Sequence, residues 1–287
     1  MTIRNPVEWS VDQFRHAASA VESAGRVGRR TRENLHSPAP AVRRIGVADL
    51  GLALARGYDD FTAYRTDVIF LCVIYPLVGL VLARLAFGYD LLPLIFPLAS
   101  GFALVGPFAA VGLNEMSRRR EAGMAVAWAD AFGVFGSPSF GAIVLLGLVL
   151  MAIFLLWLLA AEAIYQITLG PAPPASVGGF VYDVLATPAG WSMIGLGVGV
   201  GFLFALLALA ISVVSFPLLL DREVGFDTAV LTSIRAVLTN PGPMTAWGLI
   251  VAGGLVIASI PFFLGLIIVM PVLGHATWHL YRLIVPR

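Results

Sequence analysis

Long runs of apolar residues dominate the chain after residue 67, and polar positions return only between them. The apolar runs cover residues 68–87, 91–113, 141–167, 191–220 and 244–285. Four of them match one crossing of a hydrocarbon core about 30 Å thick, at a rise of about 1.5 Å per residue. The last run, as one helix, would be roughly twice that thickness, so a turn near Ser259-Ile260-Pro261 is expected to divide it into spans 244–260 and 263–285. The pattern therefore predicts six transmembrane helices.

The spacing of these runs predicts three hairpins. Gly88-Tyr89-Asp90 alone separates the first two spans, which is short enough for neighbouring antiparallel helices. A short segment with a similar run of small and apolar residues precedes each hairpin: Gly51-Leu52-Ala53-Leu54, Gly123-Met124-Ala125-Val126 and Asp227-Thr228-Ala229-Val230. We interpret these segments as an internal repeat, in which a short interfacial helix leads into each hairpin of an all-α membrane protein.

The N-terminal segment has a different character. Asn5-Pro6-Val7-Glu8 is typical of a helix start, and apolar residues then recur at helical spacing as far as Val21. Arginines and the breaker-rich stretch Ser37-Pro38-Ala39-Pro40 follow. The sequence thus predicts a cytoplasmic amphipathic helix with an arginine-rich linker over residues 1–45, and a transmembrane domain over residues 46–287.

Composition and charge fix the environment and the orientation. Hydrophobic residues make up 59% of the chain and charged residues 12%, with a mean hydropathy of +0.90, so lipid must be part of the solvent. Ten of the eighteen basic residues, all arginines, lie in the first 65 positions. Six spans with a cytoplasmic N-terminus leave only Arg84 outside, whereas five would export Arg282 and Arg287. We expect a bacterial inner-membrane protein with both termini in the cytoplasm and no cleavable signal peptide.

Two stretches carry a family resemblance. One runs from Gly106-Pro107-Phe108-Ala109-Ala110 through Gly112-Leu113, Glu115 and Ser117-Arg118-Arg119 to Glu121, and the other is Gly274-His275-Ala276-Thr277-Trp278-His279-Leu280-Tyr281-Arg282. Over roughly residues 45–285 the chain resembles a bacterial family of predicted multi-pass integral membrane proteins of unknown function. Some members are labelled cytochrome c oxidase subunit I-like, but an oxidase subunit of that kind has more helices and several histidine ligands on different spans. The resemblance therefore implies a membrane topology and no activity.

One set of residues has the chemistry of a metal site. His275 and His279 are four residues apart on the sixth span and face the same side of one helix, and Cys72 lies at a similar depth on the first span. A thiolate with two imidazoles suits copper or zinc. The alternative is that the histidines only form hydrogen bonds across helices or to head groups. No cofactor is predicted beyond this possible metal.

Other candidates concern proton transfer and packing. Glu162 is an acid within the third span and a possible relay, although it is close enough to the outer end to reach the interface. Gly195, Gly197, Gly199 and Gly201 have the spacing by which membrane helices approach one another or a partner protein. Seven prolines in or beside the spans are expected to kink them.

Three functions remain open from these patterns. The first is an accessory or structural protein that associates with lipid or with a larger membrane complex, as a homo-oligomer or with another membrane protein. The second is a transporter of a small molecule or lipid. The third is a metal-binding membrane protein using Cys72, His275 and His279. We expect no enzymatic activity, because the sequence shows no catalytic constellation, and no nucleic-acid partner.

Overall fold

A computed structural model describes residues 40–64, 72–88 and 91–287, and this part of the chain is helical with no β-strand. The predicted N-terminal amphipathic helix, its linker as far as residue 39 and the centre of the first hairpin turn lie outside the described residues. The helices are α1 (Val47–Ala63), α2 (Ile74–Gly88), α3 (Ile95–Leu104), α4 (Gly106–Ala109), α5 (Val111–Glu121), α6 (Phe140–Thr168), α7 (Val177–Ala186), α8 (Pro188–Ser212), α9 (Ser215–Asp221), α10 (Phe226–Thr239), α11 (Pro241–Ser259) and α12 (Leu266–Ile284).

Three helical stretches among the described residues are long and apolar enough to cross a membrane. They are Phe140–Thr168, Pro188–Asp221 and Pro241–Ser259. They agree with the predicted third, fourth and fifth spans to within three residues at each boundary. The 19-residue α12 covers the predicted sixth span, and α2 covers the described part of the first. The all-helical, membrane-type fold is confirmed, while the arrangement as six crossings stays a prediction.

The second predicted span is broken rather than continuous. A 3-10 turn over Leu92–Leu94 leads into α3, and helix interruptions at Val105 and Ala110 separate α3, α4 and α5. Pro107 explains the first interruption, because its ring nitrogen has no proton to donate to the carbonyl one turn earlier. The helical path also continues to Glu121, eight residues beyond the predicted end of the span.

Proline breaks two further helices where kinks were predicted. Between α8 and α9, three residues before Pro217, the N–H of Val214 donates to Ser233 Oγ at 3.2 Å instead of to its own helix. At Pro261 the chain turns between α11 and α12, with Phe262 and Phe263 at positive φ. Pro271, in contrast, lies inside α12 without ending it.

The three repeat segments adopt different structures. The first lies in α1 and the third in α10, and both helices are amphipathic with one buried face. The second, Gly123-Met124-Ala125-Val126, is a turn and an extended stretch, and a 3-10 helix over Trp128–Gly136 follows it. The loop predicted between the third and fourth spans contains the short apolar helix α7, with Ser176 as its N-cap. Only the first and third of these segments are therefore α-helical.

The two ends of the described chain are held together. α1 packs along α12, and Gly57 makes this approach possible, because a Cβ at that position would lie 2.6 Å from Ala276 Cβ. Before α1, the N–H of Arg43 donates to the carbonyl of Ile284 at 2.8 Å. The Asn240 side chain accepts from the Ile45 N–H and donates to the Arg43 carbonyl. The segment before α1 thus lies beside the ends of α10 and α12.

Candidate functional site

A cavity of about 440 Å³ lies between the broken helices and the last hairpin. Its walls come from α3–α5, α8, α9, the end of α10, α11 and α12, and its lining is mostly aliphatic and aromatic. Volumes of about 300–1,000 Å³ with apolar walls and few polar groups are typical of small-molecule sites. No acidic, basic or histidine side chain lines it among the described residues. The cavity therefore suits a neutral, largely apolar molecule.

One side of the cavity opens onto the outer surface of the helices. Phe202 of α8, Leu238 of α10 and Leu249 of α11 line the cavity and are also strongly exposed, Leu249 to 69%. Large apolar side chains on the outside of such helices face lipid tails. The cavity opening is therefore bordered by exposed apolar side chains of α8, α10 and α11.

Asn114 lies at the buried side of the cavity. It is 1% exposed, on α5, and its Oδ1 has no hydrogen-bond partner among the described residues. Two hydroxyls of the lining already have partners. The buried Ser212 hydroxyl donates to the Ala208 carbonyl, and the Thr277 hydroxyl donates to the Leu273 carbonyl. A buried amide acceptor without a partner costs about 1–3 kcal/mol. Asn114 is thus the polar group of the lining that most needs a ligand.

A cluster of polar side chains lies next to this region, and we call it the Asp60 cluster: Asp60, Ser117, Arg120, His275 and His279. Asp60 Oδ2 accepts from Ser117 Oγ at 2.6 Å and pairs with His279 Nε2 at 2.8 Å. Asp60 Oδ1 accepts from Arg120 Nη1 at 2.6 Å. Asp60 is only 4% exposed, so these charge-assisted hydrogen bonds replace the water that a carboxylate would otherwise bind.

The proton inventory of the Asp60 cluster fixes the tautomer of His275. Ser117 gives its one hydroxyl proton to Asp60, and its oxygen lies 2.8 Å from His275 Nδ1. The second bond therefore needs a proton on Nδ1, with Ser117 Oγ as its acceptor. His275 Nε2 is then an unprotonated acceptor, fully buried and without a partner among the described residues.

The hydrogen bonds of the cluster also set the acidity of Asp60. Burial by itself raises the pKa of the Asp60 carboxyl, but the hydrogen bonds from His279 and Ser117 favour the charged form. Together with the electrostatic attraction of His279 they hold this pKa below its usual range. Asp60 is therefore an anion that links α1 to α5 and α12.

The three proposed metal ligands are engaged separately. Cys72 is buried among apolar side chains, including Phe61 and Met116. His275 and His279 do face one side of α12, as predicted, but Nδ1 of the first and Nε2 of the second already bond to different residues. No group of three or more His, Cys, Asp or Glu side chains in residues 40–64, 72–88 and 91–287 is arranged to hold a metal ion.

A second ionic cluster connects three helix ends. Arg282 of α12 forms a two-pronged contact with Asp221 of α9, at 2.8 and 2.9 Å, and its Nε donates to Glu121 of α5 at 2.9 Å. Trp278 and Tyr281 add hydrogen bonds to Glu121 and Asp221. Burial raises the pKa of Glu121, but the charge and hydrogen bond of Arg282, with the hydrogen bonds of Trp278 and Arg287, more than offset this and the pKa lies below its ordinary value. The ends of the second, fourth and sixth predicted spans thus meet at one side of the molecule.

The remaining candidates from the sequence are Glu162 and the glycines of α8. Glu162 accepts from the Gln166 side chain one turn later, at 2.9 Å. A Cβ at Gly201 would lie 3.1 Å from the Trp157 ring, so this glycine packs α8 on α6. Cβ atoms at Gly195, Gly197 and Gly199 would meet nothing within 4 Å, which leaves that stripe of α8 open to lipid or to a partner. Near the end of the second predicted span, Glu115 accepts a hydrogen bond from Arg119 Nε at 2.8 Å.

Sequence reasoning missed Asp60, Asn114 and Ser117. Asp60 had a usable signal, because it continues the spacing of the buried residues Leu50, Ala53 and Gly57 and so falls on the packed face of an amphipathic helix. Asn114 and Ser117 are three apart on α5 and share a face, at the end of an apolar span. Neither pattern indicates which distant partner each side chain will have.

No curated protein and no solved structure matches the chain. Residues 95–221, from the start of α3 to the end of α9, carry Asn114, Ser117, Glu121 and Asp221 but neither α1 nor α12. These residues match the model of the family described as predicted integral membrane protein (DUF2189), whose function is unknown.

Proposed function

We propose that this protein binds a lipid-like molecule within its membrane domain and acts as a non-enzymatic accessory protein of the bacterial inner membrane. The observation that carries this proposal is the uncharged cavity whose opening is bordered by Phe202, Leu238 and Leu249. An apolar molecule dissolved in the bilayer reaches such a site without crossing water. A charged metabolite would lose its hydration there and find no opposite charge in the walls.

The proposed topology has six crossings in three hairpins, with both termini in the cytoplasm. The cluster of Glu121, Asp221 and Arg282 supports it, because an even number of crossings separates residues that meet on one side. Contact of Arg43 with Ile284 supports the placement of the N-terminal segment beside the C-terminus. Arginines also gather at these helix ends, as expected for the cytoplasmic side.

The accessory role rests on the open glycine stripe. Gly195, Gly197 and Gly199 leave room for a close helix partner, either in a second copy or in another membrane protein. Comparing the mass of the detergent-extracted wild type with that of Gly197→Leu tests this part, since a larger side chain there should weaken the assembly. A wild type that is monomeric in every mild detergent would contradict it.

Lipid retention tests the proposed binding function. The full chain is extracted in mild detergent and its bound molecules are identified by native mass spectrometry and lipid analysis. Gly248 lines the cavity, and its Cβ would meet only Leu209 at 3.5 Å, so Gly248→Leu places a side chain in the cavity without a clash at the backbone. We expect this variant to lose the bound molecule and the control Gly253→Leu to keep it, because Gly253 lies on the same helix outside the cavity lining and nothing is within 4 Å of its added Cβ. Equal retention in both variants would contradict the proposal.

A second candidate function is movement of such a molecule between leaflets. The broken path of α3, α4 and α5 favours it, because discontinuous helices commonly form substrate sites in transporters. Leaflet exchange of a fluorescent lipid in liposomes containing the wild type tests this function. Glu162→Gln, measured in parallel, reports whether the predicted relay contributes.

A further inference from the structure

Asn114 narrows the chemistry of the molecule that fits the cavity. An amide offers an acceptor oxygen and a donor NH₂ group, and the Oδ1 of Asn114 is fully buried without a partner in the described part of the chain. Native proteins pair nearly all such groups, so an orphan at a cavity wall indicates a ligand contact. A ligand hydroxyl can both donate and accept, and it therefore satisfies either atom of the amide.

The rest of the lining sets the remaining properties. No ionisable side chain among the described residues faces the cavity, so a carboxylate or phosphate inside it would be a buried, unpaired charge. The hydroxyls of Ser212 and Thr277 already bond to their own helices. Apart from Thr245 and the Trp247 ring, the remaining walls are apolar, and with an opening toward the bilayer they suit a hydrocarbon chain.

We infer that the cavity takes a neutral long-chain alcohol, an uncharged lipid whose single hydroxyl bonds to Asn114 at the buried side while its chain lies toward the opening between α8 and α11. The inference rests on the proposed binding function and deepens it. It makes Asn114 the residue that selects the head group. A phospholipid tail that entered the same space would leave the amide unpaired and would not depend on it.

Photo-crosslinking with competition tests the inference. The full chain in phosphatidylcholine nanodiscs is labelled with hexadecan-1-ol carrying a diazirine. Unlabelled hexadecan-1-ol is compared with its methyl ether, which can accept but not donate a hydrogen bond, and with palmitate. Because a hydrogen bond contributes about 0.5–1.5 kcal/mol, the alcohol should compete about three- to tenfold better than the ether. Palmitate should compete more weakly than the alcohol.

Variants at Asn114 and Gly248 distinguish failure of the inferred alcohol preference from failure of the proposed binding function. Asn114→Leu keeps the approximate size of the side chain and should remove the preference for the alcohol, leaving the ether unaffected. Gly248→Leu should lower crosslinking altogether, and Gly253→Leu, on the same helix but outside the cavity lining, should not. Equal competition by alcohol and ether in the wild type would overturn the inference even if Asn114→Leu fails to fold. Unchanged crosslinking in Gly248→Leu would overturn the proposed binding function itself.

Discussion

Gly57 of α1 lies against the backbone of Ala276 of α12, and a methyl group at position 57 would be 2.6 Å from the Ala276 nitrogen. Because Gly57 has no side chain, α1 can approach the backbone of α12 closely at this point. Backbone atoms in the middle of a helix cannot move aside as the end of a flexible side chain can. The absence of a Cβ at Gly57 therefore determines how closely the axes of α1 and α12 can approach each other.

Gly57→Ala should destabilise the protein despite its better helix propensity. Alanine gains about 1 kcal/mol over glycine within a helix, but the clash with α12 should outweigh it, for a net loss of about 1–3 kcal/mol. Thermal unfolding in detergent measures the change. Gly51→Ala on the same helix is the matched control, because nothing lies within 4 Å of its added Cβ. A Gly57→Ala protein as stable as the control would mean that α1 packs elsewhere.

Asp60→Asn should weaken the contact of α1 with α5 and α12. An amide cannot replace a carboxylate that accepts hydrogen bonds from Ser117, His279 and Arg120, and we expect a loss of about 2–4 kcal/mol. Asp59→Asn is the control, because Asp59 is the neighbouring residue and its side chain is exposed. Denaturant or thermal unfolding of both variants near pH 7 gives the comparison, and similar stabilities would contradict the role of Asp60.

The pH dependence of stability provides an independent test of the role of Asp60. The pKa of Asp60 is lower in the folded protein than its ordinary value of 3.8, so the unfolded chain binds the proton more readily. The stabilisation is therefore complete above about pH 4 and is lost as the pH falls through the folded pKa. Wild-type stability should decline in that acidic range, and the decline should be smaller in Asp60→Asn. Parallel curves for the two proteins would show that Asp60 contributes nothing to it.

Arg282→Lys should be destabilising although the charge is kept. A guanidinium contacts both oxygens of Asp221 and also Glu121, and its planar group lies 4.8 Å from the Trp278 ring. An ammonium cannot reproduce this geometry, so a loss of about 1–3 kcal/mol is expected. Arg287→Lys is the comparison, because its side chain is 72% exposed and its ion pair should contribute less than about 1 kcal/mol. Equal effects of the two substitutions would contradict the structural role of Arg282.

The orientation in the membrane is testable with a thiol reagent that cannot cross it. In a Cys72→Ala background, Ser176→Cys should react in intact cells exposed at the periplasmic face, because it lies in the loop without arginines. Arg287→Cys should react only after the membrane is opened. Labelling of Arg287→Cys in intact cells would contradict the prediction of a sixth crossing and a cytoplasmic C-terminus.

Elemental analysis addresses the metal alternative. We expect purified protein to hold no stoichiometric copper, zinc or iron, because His275 and His279 bond to Ser117 and Asp60. A His275→Ala, His279→Ala double variant provides the reference. Stoichiometric metal in the wild type that disappears in this variant would restore the metal site as a function.

The sequence predicted the parts of the fold that depend on local pattern and hydrocarbon thickness. The bounds of α6 and the turn after Ser259 follow from apolar length and from the missing proline N–H, whereas at Pro107 and Pro217 only kinks were predicted and the structure has full interruptions. The 3-10 helix at Trp128–Gly136 and the helical α7 were not predicted, since their surroundings decide between loop and helix. Pattern alone could not resolve them.

The candidate site was less predictable than the fold. His275 and His279 were correctly placed on one face of a helix, yet their partners lie 158 and 219 residues away in sequence. Asn114 and the cavity arise where several helices with unrelated sequences meet. Such long-range contacts leave no periodic signal in any one segment.

The packing of α1 against α12 also has a consequence for biosynthesis. α1 is synthesised more than 200 residues before α12, so Asp60 has no bond to His279 until α12 has been made. Chains that stop before Leu266 should therefore reach the membrane with Asp60 bonded only to Ser117 and Arg120 and with one face of α1 uncovered, and they should be degraded more quickly by quality-control proteases. Pulse-labelled lifetimes of chains with and without α12 would show whether this helix completes the assembly.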